Sequence, residues 1–319
     1  MQAPPVKSFE WAITDRCNYS CSYCNQNNYR RFGHCSDSTI SAVFKLIEGF
    51  EESWLIKIIG GEAFLHPRFF EICGFIAAKG HRICITTNFS ASKDDLCRFI
   101  DVCGDKLSFL AASYQMDQLE SHDEFIEKAI LFNEKKHPAA RLGILAVMKE
   151  ESFTRLRDIE KQFTQLGIDF QYQVLIEDGI RFHRYPQDID GYLKDKSSRN
   201  TEIIRSSNYF GTLCNAGKDF FVIDVNGDVT RCFSFLQPLF YLGNITKGGF
   251  RQLSKPMPCL AARCTCTGPA NRNMICYGKK AGWMEMIITA AAGTISYAGY
   301  LPNLLSKIFR TLTNRYKRQ

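Results

Sequence analysis

Between residues 8 and 178, short runs of apolar residues alternate with longer stretches whose apolar positions recur every three or four residues. The short runs read as strands over Phe9–Thr14, Trp54–Ile59, His81–Thr87, Lys106–Ser113, Leu142–Met148 and Phe170–Ile176. The longer stretches read as helices. The first is capped by Asp37-Ser38-Thr39 and runs to about Phe50, and others cover Pro67–Lys79, Ser92–Val102, Ser121–Lys135 and Ser152–Leu166. Such alternation predicts an α/β fold: a parallel sheet covered by helices.

The pattern changes after residue 180. Residues 181–212 are polar and aromatic, with a short helix expected over Ile189–Asp195, and read as a linker. His183, Arg184 and Tyr185 follow strand six closely enough to face a substrate, or to form a solvated loop. Residues 213–280 return to short β-type runs, Phe220–Asp224 and Val229–Cys232. Asn226-Gly227 between them predicts a two-residue hairpin turn with positive φ at both positions.

Residues 281–319 form an apolar and basic tail. Trp283–Leu301 is barely long enough for a hydrocarbon core of about 30 Å, and Thr, Ser and Gly dilute it. Beyond Pro302, the residues Leu304, Leu305, Ile308, Phe309 and Leu312 share one helical face, with basic residues alongside. That pattern suits an interfacial helix on anionic lipid, or a terminal helix packed on the body of the protein.

Fourteen cysteines in a chain of 319 residues change the picture. With no apolar N-terminal segment to act as a signal, they point to metal binding in a reducing, cytoplasmic setting rather than to disulfides. The net charge of +7 is concentrated in the tail, and no zinc-finger or aromatic–basic pattern supports a nucleic-acid partner. Cys35, Cys73, Cys84, Cys97 and Cys103 fall within the strand and helix region, and most read as small hydrophobes.

Cys17, Cys21 and Cys24 are different. They are spaced C-x3-C-x2-C directly after strand one. Three thiolates on one loop can hold three irons of a [4Fe–4S] cluster and leave the fourth open. Structural zinc needs four ligands, and His34 and Cys35 lie ten or more residues away. Ligands on parallel sheets sit at the carboxyl ends of strands, where Gly60-Gly61-Glu62 and Thr87-Asn88 also fall.

Cys17-x3-Cys21-x-Tyr23-Cys24 followed by Gly60-Gly61-Glu62 resembles the radical S-adenosylmethionine (radical SAM) superfamily. The resemblance covers roughly residues 8–180 and implies a partial (β/α)6 barrel. It assigns Cys17, Cys21 and Cys24 to a [4Fe–4S] cluster, Tyr23 to the neighbourhood of the adenine, and Gly60, Gly61 and Glu62 to the methionine amino group. Thr87, Asn88 and Ser113 lie where they would touch the methionine or ribose, or simply cap their strands. Two features depart from the family pattern: Ala63 stands where proline is common, and strand five offers only Gly143 in place of a glycine-rich motif.

Cys214-x12-Gly227-x4-Cys232 is similar to the start of the SPASM and twitch extensions of this family, which carry auxiliary iron–sulfur clusters. The resemblance implies one auxiliary [4Fe–4S] cluster held by Cys214, Cys232 and two of Cys259, Cys264 and Cys266, with Cys276 nearby. Four-thiolate zinc is the rival.

The implied activity is reductive cleavage of S-adenosylmethionine to a 5′-deoxyadenosyl radical that removes a substrate hydrogen. An electron donor such as flavodoxin or ferredoxin would supply the reducing electron. The expected outcome is oxidative modification or crosslinking of a peptide or protein. The alternatives are a dehydrogenase or epimerase acting on a sugar, aminocyclitol or lipid-linked envelope substrate, or a non-catalytic metal-binding or electron-transfer module. No room precedes residue 8 for an N-terminal peptide-binding domain, no domain suits cobalamin, and the tail suggests contact with the inner membrane face.

Overall fold

The computed structural model describes residues 4–24, 33–177, 181–196, 208–233, 240–262, 264 and 267–289. Six parallel strands form the body: β1 (Ser8–Thr14), β2 (Leu55–Gly60), β3 (Arg82–Thr87), β4 (Leu107–Ser113), β5 (Arg141–Val147) and β6 (Asp169–Gln173). Helices α1 (Asp37–Glu48), α2 (Phe69–Ala78), α3 (Lys93–Cys103), α4 (His122–Lys135) and α5 (Phe153–Gln165) connect them. This is the parallel α/β architecture expected of a partial barrel.

Alternation decides which face each strand buries. Phe9, Trp11 and Ile13 of β1 join Ile56, Ile58, Ile83 and Ile85 in the core beneath the helices. The intervening residues face the opposite side, where Lys57 Nζ lies 3.4 Å from Glu10 Oε2. Helix α1 buries Ile40, Val43 and Ile47 at helical spacing. Its cap is Ser36, one residue before the expected start, because the Ser36 side chain accepts from Thr39 N. Gly143 has a packing role: a Cβ there would meet the Phe109 ring at 2.8 Å.

The sheet does not end with the barrel. The next strands are β7 (Ile176–Glu177) and β8 (Arg181–Phe182), which pair as a hairpin on the rim, and α6 (Gln187–Lys196) follows. Next come β9 (Thr212–Cys214), β10 (Phe220–Ile223), β11 (Asp228–Thr230), β12 (Tyr241–Asn244) and β13 (Gly249–Phe250). β10 pairs parallel with β1, matching Ser8 to Phe220 and Trp11 to Ile223, and the Phe9 and Phe221 rings stack at 5.2 Å. One ten-stranded sheet results, in the order β13-β12-β11-β10-β1-β2-β3-β4-β5-β6. A separate small sheet places β9 between β14 (Met257–Pro258) and β15 (Ile275–Lys280).

The Asn226-Gly227 turn differs from the expected two-residue form. Only Gly227 has positive φ, +80°, whereas Asn226 does not. Asp224 supplies the reason: its Oδ1 accepts from Asn226 N at 2.8 Å and Asp228 N at 3.0 Å, so the side chain shapes a longer turn. Strand six is likewise shorter than expected, since Ile176 belongs to the rim hairpin.

Candidate active site and the second cysteine site

The cysteine loop leaves β1 at the carboxyl rim and is held from three sides. Gly61 N donates to Thr14 O at 2.9 Å and Glu62 N to Arg16 O at 2.7 Å, fastening the turn after β2 to the start of the loop. The glycines permit this approach. A Cβ on Gly60, at φ +154°, would lie 2.2 Å from Thr14 O, and one on Gly61 2.0 Å from Arg16 O. The close approach seen here is therefore to the loop's own backbone.

Glu62 is fully buried. Its Oε1 accepts from Thr87 Oγ1 at 2.8 Å and Phe64 N at 3.2 Å, and its Oε2 from Asn88 N at 2.6 Å. Burial pushes its carboxyl above the usual range, against the pull of those donors. Asn88 carries the connection back to the loop, donating from Nδ2 to Asn18 Oδ1 at 2.8 Å and towards Cys17 Sγ at 3.8 Å. Phe89, next in sequence, has φ at +63°; its N donates to Thr87 Oγ1 at 3.0 Å and its buried ring lies 5.2 Å from that of Phe125.

Strands four and five hold the loop's other side. Ser20 N donates to Gln118 Oε1 at 2.9 Å, and Tyr23 OH donates to Gln115 Oε1. Lys149 Nζ sits 5.1 Å from the Tyr23 ring centroid and pairs with Asp117. Desolvation raises the Tyr23 hydroxyl well above its ordinary value, so it stays protonated and able to donate. Ser113 is half-buried at the end of β4, in register with Leu145. Sequence reasoning missed Asn18, Gln115, Gln118 and Lys149, none of which belongs to a spaced motif.

The donor set fits an iron–sulfur cluster. Cys17, Cys21 and Cys24 come from one short loop, with Cys21 buried and the others partly exposed. Cys17 Sγ receives Tyr19 N at 3.4 Å as well as the Asn88 amide. Donors aimed at sulfur suit a thiolate ligand and tune its cluster.

Beside this loop, Cys35 Sγ lies 3.5 Å from His66 Nε2, and the His34 and His66 rings meet edge to face at 4.9 Å. Burial holds His66 neutral, at about 4, and pushes the Cys35 thiol up to about 12. Cys73, Cys84 and Cys103 are buried in the body of the fold and Cys97 is half-buried. His183 Nδ1 and Nε2 lie 2.6 Å and 2.8 Å from Glu177 and Glu150, and Tyr185 OH bonds Met148 O and Leu175 N. These two residues thus fasten the rim hairpin to the barrel, whereas Arg184 is exposed.

The second cysteine set converges. Cys214, Cys232, Cys259 and Cys264 line one partly open cavity together with Tyr209, Phe240 and Ile275. β9 brings Cys214 opposite Met257 and Ile275, and Cys259 N donates to Thr212 O at 2.9 Å. Arg231 staples the next element in place, with Nε donating to Ala216 O at 3.0 Å and its terminal nitrogens to Pro258 O and Met257 O at 3.3 Å and 3.2 Å. Cys232 follows it directly in sequence. Four thiols match in number the four corners of a fully ligated [4Fe–4S] cluster, and a four-thiolate zinc site uses the same donors drawn closer together. Desolvation holds the metal-free Cys214 thiol up at about 11. Cys276 accepts from Asn215 Nδ2 at 3.4 Å, and Cys266 lies outside the described residues. Among the described residues, no three Cys, His, Asp or Glu side chains are grouped to hold a single metal ion.

Comparison with known proteins gives this geometry a context. Residues 11–141 match the family model described as the Radical SAM superfamily. The chain is 21% identical over 262 residues to the antilisterial bacteriocin subtilosin biosynthesis protein AlbA of Bacillus subtilis, covering 76% of this chain and 58% of that protein. It is 23% identical over 177 residues to the tungsten-containing aldehyde ferredoxin oxidoreductase cofactor-modifying protein of Pyrococcus furiosus, covering 49% and 48%. The chain thus spans about half the length of these curated relatives. Among solved structures, Streptococcus suis SuiB bound to precursor peptide SuiA superposes with a TM-score of 0.57 at 15% identity, over 78% of this chain and 63% of that one. Native anSMEcpe with bound AdoMet and Cp18Cys peptide gives 0.56 at 15% identity, over 95% and 99%. The fold is shared with those proteins, and the cysteine loop seated on the Gly-Gly-Glu turn lies within the matched segment. Residues 11–141 are thus similar to the radical SAM superfamily, whose enzymes use a [4Fe–4S] cluster and S-adenosylmethionine.

Proposed function

We propose that the chain is a radical SAM enzyme with two [4Fe–4S] centres that oxidatively modifies or crosslinks a peptide. The observation that carries this reading is the convergence of Cys214, Cys232, Cys259 and Cys264 on one cavity, in a chain whose Cys17, Cys21 and Cys24 form the radical-site loop. Four protein thiolates complete a ligand shell, so the second centre suits electron transfer rather than substrate binding. A peptide substrate is supported by the precursor peptide and Cp18Cys peptide in two structures of like fold, and by the bacteriocin role named for AlbA.

When bound, S-adenosylmethionine reduced at the first centre would supply a 5′-deoxyadenosyl radical, with methionine leaving, and the second centre would supply a one-electron acceptor, so that a substrate C–H bond could lose a hydrogen atom, then an electron and a proton. The protein supplies the rest. Cys17, Cys21 and Cys24 would hold the first centre, and the Glu62–Thr87–Asn88 strut fixes the loop's orientation. Tyr23 and Lys149 close its outer side. The reducing electron would come from a small donor such as flavodoxin or ferredoxin.

A second reading places the substrate at a membrane. The helix over 283–289 exposes Trp283, at 80%, together with Met284, Ile287 and Ile288, and Lys279 and Lys280 lie exposed beside it. Such a face suits an anionic lipid surface and a lipid-linked substrate. No helix among the described residues is long and apolar enough to cross a membrane.

The test is anaerobic reconstitution with iron and sulfide, then dithionite and S-adenosylmethionine, with 5′-deoxyadenosine as product. Wild type should hold about eight irons and form it. The Cys17→Ala/Cys21→Ala/Cys24→Ala variant should keep about four irons and form none. A cluster-loaded wild type that yields no 5′-deoxyadenosine would make the chain a non-catalytic module, and zinc in the triple variant would remove the second centre.

A further inference from the structure

The fold buries a charge against the second cysteine cavity. Arg231 is 6% exposed and lines the cavity beside Cys214, Cys232 and Cys259. Its hydrogen bonds run to the carbonyls of Ala216, Pro258 and Met257, and its guanidinium lies 5.0 Å from the Phe240 ring centroid. These partners are neutral. They take up three of its five N–H groups, and among the described residues no carboxylate pairs with the positive charge, in an apolar setting where an isolated charge is costly.

What fills the cavity can supply the balance. Four thiolates around an oxidised [4Fe–4S] core carry two net negative charges, and one added electron makes three. A fixed cation beside them favours both states but favours the reduced one more, because attraction scales with the charge it meets. Arginine suits the position because it remains charged when buried and its planar fork can meet three carbonyls at once. Resting on the two-centre reading above, we propose that Arg231 is the built-in counter-charge of the auxiliary cluster and holds its reduction potential high enough to receive an electron from the substrate. The step is a one-electron reduction of the cluster, with no bond made or broken there.

The experiment uses the full chain carrying Cys17→Ala, Cys21→Ala and Cys24→Ala, so that only the second centre is read. EPR-monitored titration with dithionite and mediators gives its potential with Arg231, Arg231→Met and Arg231→Lys. Arg231→Met should shift the reduction equilibrium at least tenfold towards the oxidised form, about 59 mV for a one-electron couple, while Arg231→Lys stays within threefold of the parent. A Met variant within threefold of the parent, or a Lys variant shifted as far as the Met variant, overturns the proposal. If Arg231→Met holds no iron, the lysine variant decides. Iron retained at the parent potential upholds the charge role. Iron lost, or a tenfold shift despite the retained charge, makes Arg231 a scaffold residue. Zinc or no iron in the Arg231 parent is a failure of the two-centre reading instead, and is recognised before any potential is measured.

Discussion

Replacing Gly61 by alanine isolates the contact between the turn after β2 and the cysteine loop. Gly61 is not among the residues with positive φ, so alanine can adopt its backbone, and the whole penalty is steric. The added Cβ would stand 2.0 Å from Arg16 O and 2.4 Å from Arg16 C, atoms that no rotamer change can move away. The backbones must separate, and the bonds from Gly61 N to Thr14 O and Glu62 N to Arg16 O go with them. Two lost hydrogen bonds cost about 2 kcal/mol, and residual overpacking about 1–3 kcal/mol more. Destabilisation should therefore be about 3–5 kcal/mol, read as a lower urea midpoint of the metal-free protein. Because Arg16 adjoins Cys17, the displaced loop should also lose its cluster, leaving about half the wild-type iron. Gly80→Ala is the control: φ is +78° and nothing lies within 4 Å of the added Cβ, so only the backbone cost of about 1–2 kcal/mol applies and iron is unchanged. A Gly61→Ala protein with wild-type midpoint and full iron would refute the contact as the loop's anchor.

Two further outcomes follow from other parts of the structure. The Glu177 and Glu150 carboxylates raise the pKa of His183 above its unfolded value, so its contribution to holding the rim hairpin is complete below about pH 6.5 and is lost as pH rises through the folded value. Amide exchange in β7 and β8 should therefore be slower at low than at high pH beyond the intrinsic base catalysis, and His183→Gln should remove that difference; an unchanged difference defeats this reading. At the tail, Trp283→Ser with Ile287→Ser should abolish flotation with vesicles containing anionic lipid and leave iron content unchanged, whereas equal flotation of variant and wild type would exclude this face as the contact.

Much of this was legible in the residues. The barrel strands announce themselves because each core-facing run, such as Phe9-x-Trp11-x-Ile13, must alternate to bury one face under helices. The cysteine loop is legible because C-x3-C-x2-C spacing sets three thiols on one short segment. The glycine pair is legible as a close approach, but not as an approach to Thr14 and Arg16, since pairing between a turn and a loop leaves no periodic trace. Gln115, Gln118 and Lys149 were invisible for a similar reason: single polar residues at strand ends resemble ordinary rim residues until a fold brings one loop against them. The selection of Cys259 and Cys264 beside Cys214 and Cys232 depends on the β14–β9–β15 sheet and on Arg231 reaching across it. C-x4-C-x-C spacing alone could not choose among three neighbouring thiols.

The pairing of β10 with β1 also sets a timetable. Strand β1 is made well before the partner for one of its edges, which lies roughly 200 residues downstream, beginning at Phe220. At synthesis rates of about 5–20 residues per second, that edge stays open for about 10–40 s. During this interval a row of unpaired backbone groups and the Phe9 ring, later stacked on Phe221, are available to other nascent chains. The strand that leads into the Cys17–Cys24 loop is thus completed only when the hairpin beside the second cysteine set emerges. A chain cut before residue 220 should therefore aggregate, rather than persist as a free-standing barrel.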